Sequence, residues 1–202
     1  MRLPGALLAV ALALAGCATP RSAPPVATAV QAAPPVTILI SIDGFRADYL
    51  DRGITPTLSR LAREGVSAPM TPSFPTKTFP NHYTIVTGLS PDAHGIVDNR
   101  MADPARPGEL FTLGAAQAFD PFWWDGAEPI WVTAERQGVR TATMFWPGTE
   151  VAIRGVRPSN WLRFDQNVSN PQRVEQVLDW LRRPPATRPR FITLYFNTVD
   201  SI

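Results

Sequence analysis

Thr78 lies where a loop rich in Pro and Ser/Thr, residues 72–77, gives way to a mixed polar and apolar run that ends at Gly88. Pro80 suits a first helical turn and Gly88 a stop, so the stretch predicts a short helix with Thr78 at its N-cap. Unpaired N–H groups and the helix dipole favour negative charge at that end. A phosphoryl group brought there would meet a partly built anion site beside a hydroxyl that can act as a nucleophile. Thr is also a common cap, and on this stretch alone capping is the simpler role. Lys77, the only lysine among 19 Lys and Arg residues, puts a flexible cation next to Thr78, either to meet a phosphate or to stay solvated in the loop.

Three other polar residues stand at places where α/β proteins do chemistry. Residues 36–42 form a nearly continuous β-branched run without charge that leads into Asp43-Gly44. Such a run predicts a buried parallel strand that delivers Asp43 to its C-terminal edge, where open α/β sheets place their ligands; a turn-forming Asp-Gly pair is the alternative. Asn99 closes the polar turn 91–99 and could present its amide to an anion, although such residues more often bond their own backbone. Asp200 follows the apolar strand predicted at 191–196, after Asn197-Thr198-Val199.

The elements that must position these residues alternate along the chain. Thr55-Pro56 to Gly65 reads as a capped amphipathic helix with Leu58, Leu61 and Ala62 packed on the sheet. Residues 129–136 read as a helix stopped by Gly138, and 139–146 as the next strand. Asn170-Pro171 starts a helix with Val174, Val177, Leu178 and Leu181 on one face. The alternation predicts an α/β fold, a mostly parallel sheet with helices on both faces. No covering helix follows the last strand, so apolar sheet surface is expected to be uncovered and the chain is expected to be the front part of a longer protein. Phe119, Phe122, Trp123, Trp124 and Trp131 crowd one segment, where core packing or a hydrophobic lid is favoured over a platform for a base or sugar.

With 202 residues, 45% of them hydrophobic and 18% charged, the chain suits one globular domain. The net charge of only +2 indicates no nucleic-acid-binding patch. Cys17 is the single cysteine, which excludes a disulfide framework and a cysteine-based zinc site. Residues 1–17 combine Arg2, an apolar run from 6 to 15 and the ending Leu14-Ala15-Gly16-Cys17, which resembles a bacterial lipobox. The expected organisation is a lipoprotein signal peptide to Cys17, a Pro/Ala-rich tether over 18–35 and a folded domain over 36–202. Ala18 resembles the residue after the lipidated Cys in lipoproteins sent to the outer membrane. The membrane is thus an expected partner through an N-terminal lipid, with the domain facing the periplasm.

Asp43, Thr78, Asn99 and Asp200, in this order and spacing, resemble the nucleotide pyrophosphatase/phosphodiesterase family of the alkaline phosphatase superfamily. The blocks that carry the resemblance are Ile42-Asp43-Gly44-Phe45-Arg46, residues 76–88, and His94-Gly95-Ile96 with Asp98-Asn99; Trp146-Pro147-Gly148 supports them. The resemblance implies an alkaline phosphatase-like fold and zinc-dependent hydrolysis of phosphodiester or pyrophosphate bonds in nucleotides or related diesters. It makes Asp43 a ligand of one zinc and Thr78 the nucleophile on that zinc. Asn99, with a backbone N–H near Thr78, would hold a non-bridging phosphate oxygen, and Asp200 would be a ligand of a second zinc. Lys77 matches a position that is basic in only some relatives. His82 and His94 match no ligand and are expected to be structural.

Relatives carry further His and Asp-His-Gly ligands after the position matching Asp200, and this sequence does not. Two zinc ions are therefore expected in the full-length protein, whereas the chain as given should bind zinc poorly and be inactive. Two alternatives remain: a catalytically dead lipoprotein module that binds phosphate or a partner, and a phosphomonoesterase of the same superfamily. A sulfatase is disfavoured because its Cys- or Ser-based nucleophile motif is absent.

Overall fold

In the computed structural model of the protein, residues 34–201 are described. Cys17, the expected signal peptide and the expected tether up to residue 33 lie outside the described residues. A four-stranded, fully parallel sheet organises the fold, and its strands are β1 (Thr37–Ile42), β4 (Thr141–Met144), β5 (Asn160–Leu162) and β6 (Phe191–Phe196). Their spatial order is β1-β6-β4-β5. The sheet therefore juxtaposes the first and last strands of the described chain, in a register that sets Thr37 opposite Phe191 and Ser41 opposite Tyr195. A two-stranded antiparallel pair, β2 (Arg100–Met101) with β3 (Phe111–Thr112), lies apart from it.

Continuous apolar strands belong in the middle of such a sheet, and β6 is buried from Phe191 through Tyr195. One face packs on a cluster that includes Tyr83, Val86, Trp124, Trp131, Trp146 and Ile153. That cluster is built on the helices α2 (Thr78–Thr87) and α4 (Ile130–Arg136), with the one-turn helix α3 (Pro91–His94) between them in the chain. The other face packs with Ala142, Met144, Ile192 and Leu194 against Val177 and Trp180 of α5 (Asn170–Arg182). The expected parallel sheet with helices on both faces is the fold observed.

Several local expectations change. β1 is an edge strand, with Ile38 40% and Ile40 56% exposed, because a β-branched run marks a strand without saying how many neighbours it has. The helix α1 (Pro56–Glu64) does not pack on the sheet. It buries no residue and leaves Leu61 51% exposed, lying beside the 3₁₀ segment Ala47–Arg52 instead. α5 does start at Asn170 as expected, with Ser169 at its N-cap in a reciprocal capping box with Gln172. Its buried stripe is Arg173, Val177 and Trp180, with Val174 turned outward. β4 stops at Met144 because Phe145 turns the chain to φ 66°.

The crowded aromatics are core. Trp123, Trp124 and Trp131 are buried, and Trp124 meets Tyr83 edge-on at 5.2 Å and donates Nε1–H to the Ala118 carbonyl at 2.7 Å. Gly148 explains the Trp-Pro-Gly block: its φ is +89° and a Cβ there would lie 2.7 Å from the Trp124 ring.

Candidate active site

The site forms where the C-terminal ends of β1 and β6 meet the N-terminus of α2. The parallel ladder continues one residue beyond β1, as the Asp43 N–H donates to the Phe196 carbonyl at 2.8 Å. Asp43 is thereby delivered to the sheet edge. Gly44 then turns with φ +73°, and a Cβ on it would come within 3.1 Å of both Cα and N of Asp200. The glycine thus serves the close approach of two chain segments as well as the turn. Asp200 reaches this place on a tight turn in which its N–H and that of Ser201 both donate to the Asn197 carbonyl, at 3.1 and 3.2 Å.

Thr78 is the first helical residue of α2 and not its N-cap. Lys77 occupies the cap with extended φ −126° and ψ 157°, and its side chain makes no cap hydrogen bond. The Thr78 hydroxyl is therefore free of the capping role and donates to Asp43 Oδ2 at 3.1 Å. On the other side of the helix start, Asn99 Oδ1 accepts the Phe79 N–H at 2.9 Å. The structure thus brings Asp43, Thr78 and Asn99 into one hydrogen-bonded arrangement, with Asp200 against Gly44 beside it. Lys77 follows the loop, exposed, with no side-chain hydrogen bond or ion pair among the described residues.

Residues that the sequence did not single out hold this arrangement. Asn81 stitches the loop before α2: its Oδ1 accepts the Ser73 N–H at 2.7 Å, and its Nδ2 is shared among the carbonyls of Ser73, Pro75 and Lys77. Tyr195 donates its phenol to Asp43 Oδ2 at 2.8 Å. Burial, and then the Asp43 charge, push that phenol far above its ordinary value of 10, so it remains a donor. The only sequence signal for Tyr195 is strand alternation, and that becomes readable only once β6 is known to pair with β1.

His82 ties the helix to the sheet. Its Nδ1–H donates to the Thr78 carbonyl at 2.7 Å, which leaves Nε2 to accept the Ser41 hydroxyl at 2.8 Å. His94 accepts the Ile96 N–H on Nδ1 at 3.1 Å and donates Nε2–H to Thr84 Oγ1 at 3.0 Å. Both rings are spent on internal bonds, and both are buried.

Burial holds each histidine below its ordinary value of 6.5, against weaker pulls upward from backbone hydrogen bonds and neighbouring carboxylates. The unfolded chain therefore binds more protons than the fold as pH drops below the unfolded value. The stabilisation is complete above about pH 6.5 and is lost as pH falls through it towards the folded pKa values. The thermal unfolding midpoint should fall between about pH 7 and pH 5, and should fall less in the double variant His82→Asn, His94→Asn. An equal acid slope in wild type and variant would rule out both rings as its source.

Chemically, the arrangement offers a hydroxyl aimed at a carboxylate, a helix N-terminus with a side-chain amide, and a second carboxylate nearby. The two carboxylates are hard oxygen donors suited to a divalent ion. They supply only part of a coordination sphere, because no group of three or more His, Cys, Asp or Glu side chains that could hold an ion occurs among the described residues.

Residues 37–202 match the family model for type I phosphodiesterase/nucleotide pyrophosphatase. The human ectonucleotide pyrophosphatase/phosphodiesterase family member 1 is 47% identical over 170 residues, which are 83% of this chain and 18% of that protein. A Schizosaccharomyces pombe pyrophosphatase/phosphodiesterase is 47% identical over 166 residues, 82% of this chain and 34% of the relative. Among solved structures, murine ectonucleotide pyrophosphatase/phosphodiesterase 5 superposes with a TM-score of 0.77 at 36% identity, over 82% of this chain and 44% of that one. An inactive threonine-to-alanine variant of the murine protein, in complex with AMP, gives the same TM-score of 0.77 at 35% identity, over 83% and 44% of the two chains. The chain thus spans 18% and 34% of the lengths of these two curated relatives.

Proposed function

The chain belongs to the type I phosphodiesterase/nucleotide pyrophosphatase family, and from that premise we propose that the full-length protein hydrolyses phosphodiester or pyrophosphate bonds in nucleotides or related diesters, with Thr78 as nucleophile. The observation that carries this reading is the hydroxyl of Thr78, released from capping and directed at Asp43 Oδ2 from the first turn of α2. The complex of a solved relative with AMP supports a nucleotide as substrate.

The chain's own residues divide the work. The N-terminus of α2 attracts the phosphoryl group, and Lys77 adds a cation at its cap. A non-bridging oxygen would compete with Asn99 Oδ1 for the Phe79 N–H, while the Asn99 amide offers its own N–H groups to the same anion. Asp43 Oδ2 holds the Thr78 proton and so keeps the oxygen lone pairs towards phosphorus. Attack forms the Thr78 Oγ1–P bond as the hydroxyl proton passes to Asp43 Oδ2 and the bond from phosphorus to the departing alcohol or phosphate breaks, the leaving oxygen taking up a proton from solvent. A water oxygen then bonds to phosphorus as the Oγ1–P bond breaks, and the proton held at Asp43 Oδ2 returns to Thr78 Oγ1 while the water's own proton goes to solvent.

Asp43 and Asp200 are the residues that would hold zinc, each as part of a set of ligands that the described residues do not complete. Zinc when bound supplies Lewis acidity, lowering the pKa of a hydroxyl and balancing phosphate charge. Among the described residues no helix is long and apolar enough to cross a membrane. The lipobox-like ending at Cys17 supports a lipid anchor in the outer membrane, facing the periplasm, as the way the protein is held there.

The test compares a chromogenic diester, bis(p-nitrophenyl) phosphate, with the monoester p-nitrophenyl phosphate, before and after chelation. The full-length protein is expected to turn over the diester faster, to lose that activity on chelation and to regain it with zinc. Faster monoester turnover would move the assignment to a phosphomonoesterase. Phosphate binding with no turnover of either compound would replace the enzyme with a binding module.

A further inference from the structure

Two hydroxyls converge on a single oxygen of Asp43. Thr78 Oγ1 lies 3.1 Å and the Tyr195 phenol 2.8 Å from Oδ2, so that oxygen is loaded twice, and Oδ1 makes no hydrogen bond among the described residues. We infer that Tyr195 is a positioning residue, which fixes the Asp43 carboxylate so that Oδ1 is presented for a metal ion while Oδ2 faces Thr78. The inference rests on the metal reading given above.

The fold makes Tyr195 suited to this and to little else. It stands opposite Ser41 in the β1–β6 ladder, so alternation along the strands puts it on the same face as Ser41 and Asp43. The residue is 6% exposed and its ring meets the His82 ring edge-on at 5.1 Å, and that same histidine carries the Thr78 carbonyl and the Ser41 hydroxyl. The phenol therefore has a fixed origin, and a carboxylate can rotate only by breaking its bond to it. The strand beneath is fixed as well. The buried guanidinium of Arg173 donates to the Tyr195 carbonyl at 3.1 Å and to Asn197 Oδ1 at 3.0 Å. Asn197 in turn receives the N–H of Asp200. Metal-binding carboxylates commonly depend on such outer hydrogen bonds for their orientation.

Tyr195→Phe removes one oxygen and leaves the packed ring, so it separates the hydrogen bond from the core. Zinc affinity of the full-length protein is measured by competition with a chromogenic chelator for wild type, Tyr195→Phe, Asp43→Ala and the double variant. The expected result is an affinity ten- to a hundredfold weaker in Tyr195→Phe, with turnover restored by excess zinc. In the Asp43→Ala background the loss of the phenol should add nothing, an outcome that a merely structural tyrosine would not give. Equal zinc affinity in wild type and Tyr195→Phe overturns the inference, as does an undiminished effect of Tyr195→Phe when Asp43 is absent. A wild type that binds no zinc defeats the metal reading itself, and the inference with it.

Discussion

Thr78→Ala is expected to lower phosphodiester turnover by the full-length protein at least about 10⁴-fold, the scale on which enzymes lose activity when an attacking oxygen is deleted. Folding should survive. Alanine has the highest intrinsic helix propensity, the cap geometry belongs to Lys77, and Asn81 and His82 hold the helix start through other atoms. The lost bond is a half-buried one to an oxygen that keeps its bond to Tyr195. A stability loss of about 1 kcal/mol is therefore the expected scale. The measurement is kcat on bis(p-nitrophenyl) phosphate beside a thermal unfolding curve. Thr78→Ser should retain turnover because it retains the hydroxyl. Substantial diesterase activity in the folded Thr78→Ala protein would take Thr78 out of the mechanism.

Asp43→Ala should have an effect of comparable size on activity, for two reasons that act together. It removes the acceptor that aims the Thr78 hydroxyl, and it removes one of the two carboxylates at the sheet edge. Turnover is expected to fall at least about 10³-fold, and the full-length protein should bind one zinc equivalent fewer by elemental analysis. Stability should fall more than for Thr78→Ala, because the buried Tyr195 phenol loses the acceptor it has in the fold. An unsatisfied buried donor costs about 1–3 kcal/mol. Asp43→Asn separates the contributions: an amide oxygen can still accept the two hydroxyls, so the stability loss should shrink while the zinc stoichiometry stays reduced. Unchanged zinc content in Asp43→Ala would remove Asp43 from the metal site and leave it only the orientation of Thr78.

Local signals place both residues but not their side-chain contacts. The strand ending before Asp43 and the helix opening at Thr78 were legible because charge-free β-branched runs and Pro/Gly punctuation are local signals. The role of the Thr78 hydroxyl was not legible. Capping and nucleophilic readings require the same residue at almost the same helix position, and they differ only in where the oxygen points. Its partner lies 35 residues away in the chain. The N-cap was displaced by one residue because Lys77, an unusual cap, already has the extended backbone that closes the helix start.

Legible in the amino-acid order alone were the main strands and helices, the α/β class, the residues that stand at strand ends and the helix start, and a family resemblance that its matched relatives bear out. These follow from periodicity and from residue types at fixed spacing, which are properties of short stretches. It took the packed domain to show that β1 is an edge strand beside β6, that α1 fully buries none of its apolar residues, and that Tyr195 reaches Asp43 across 152 residues of chain. Apolar patterning states that a face can be buried but not against what, and the pairing of distant strands is a non-local choice made by the packing of the whole domain.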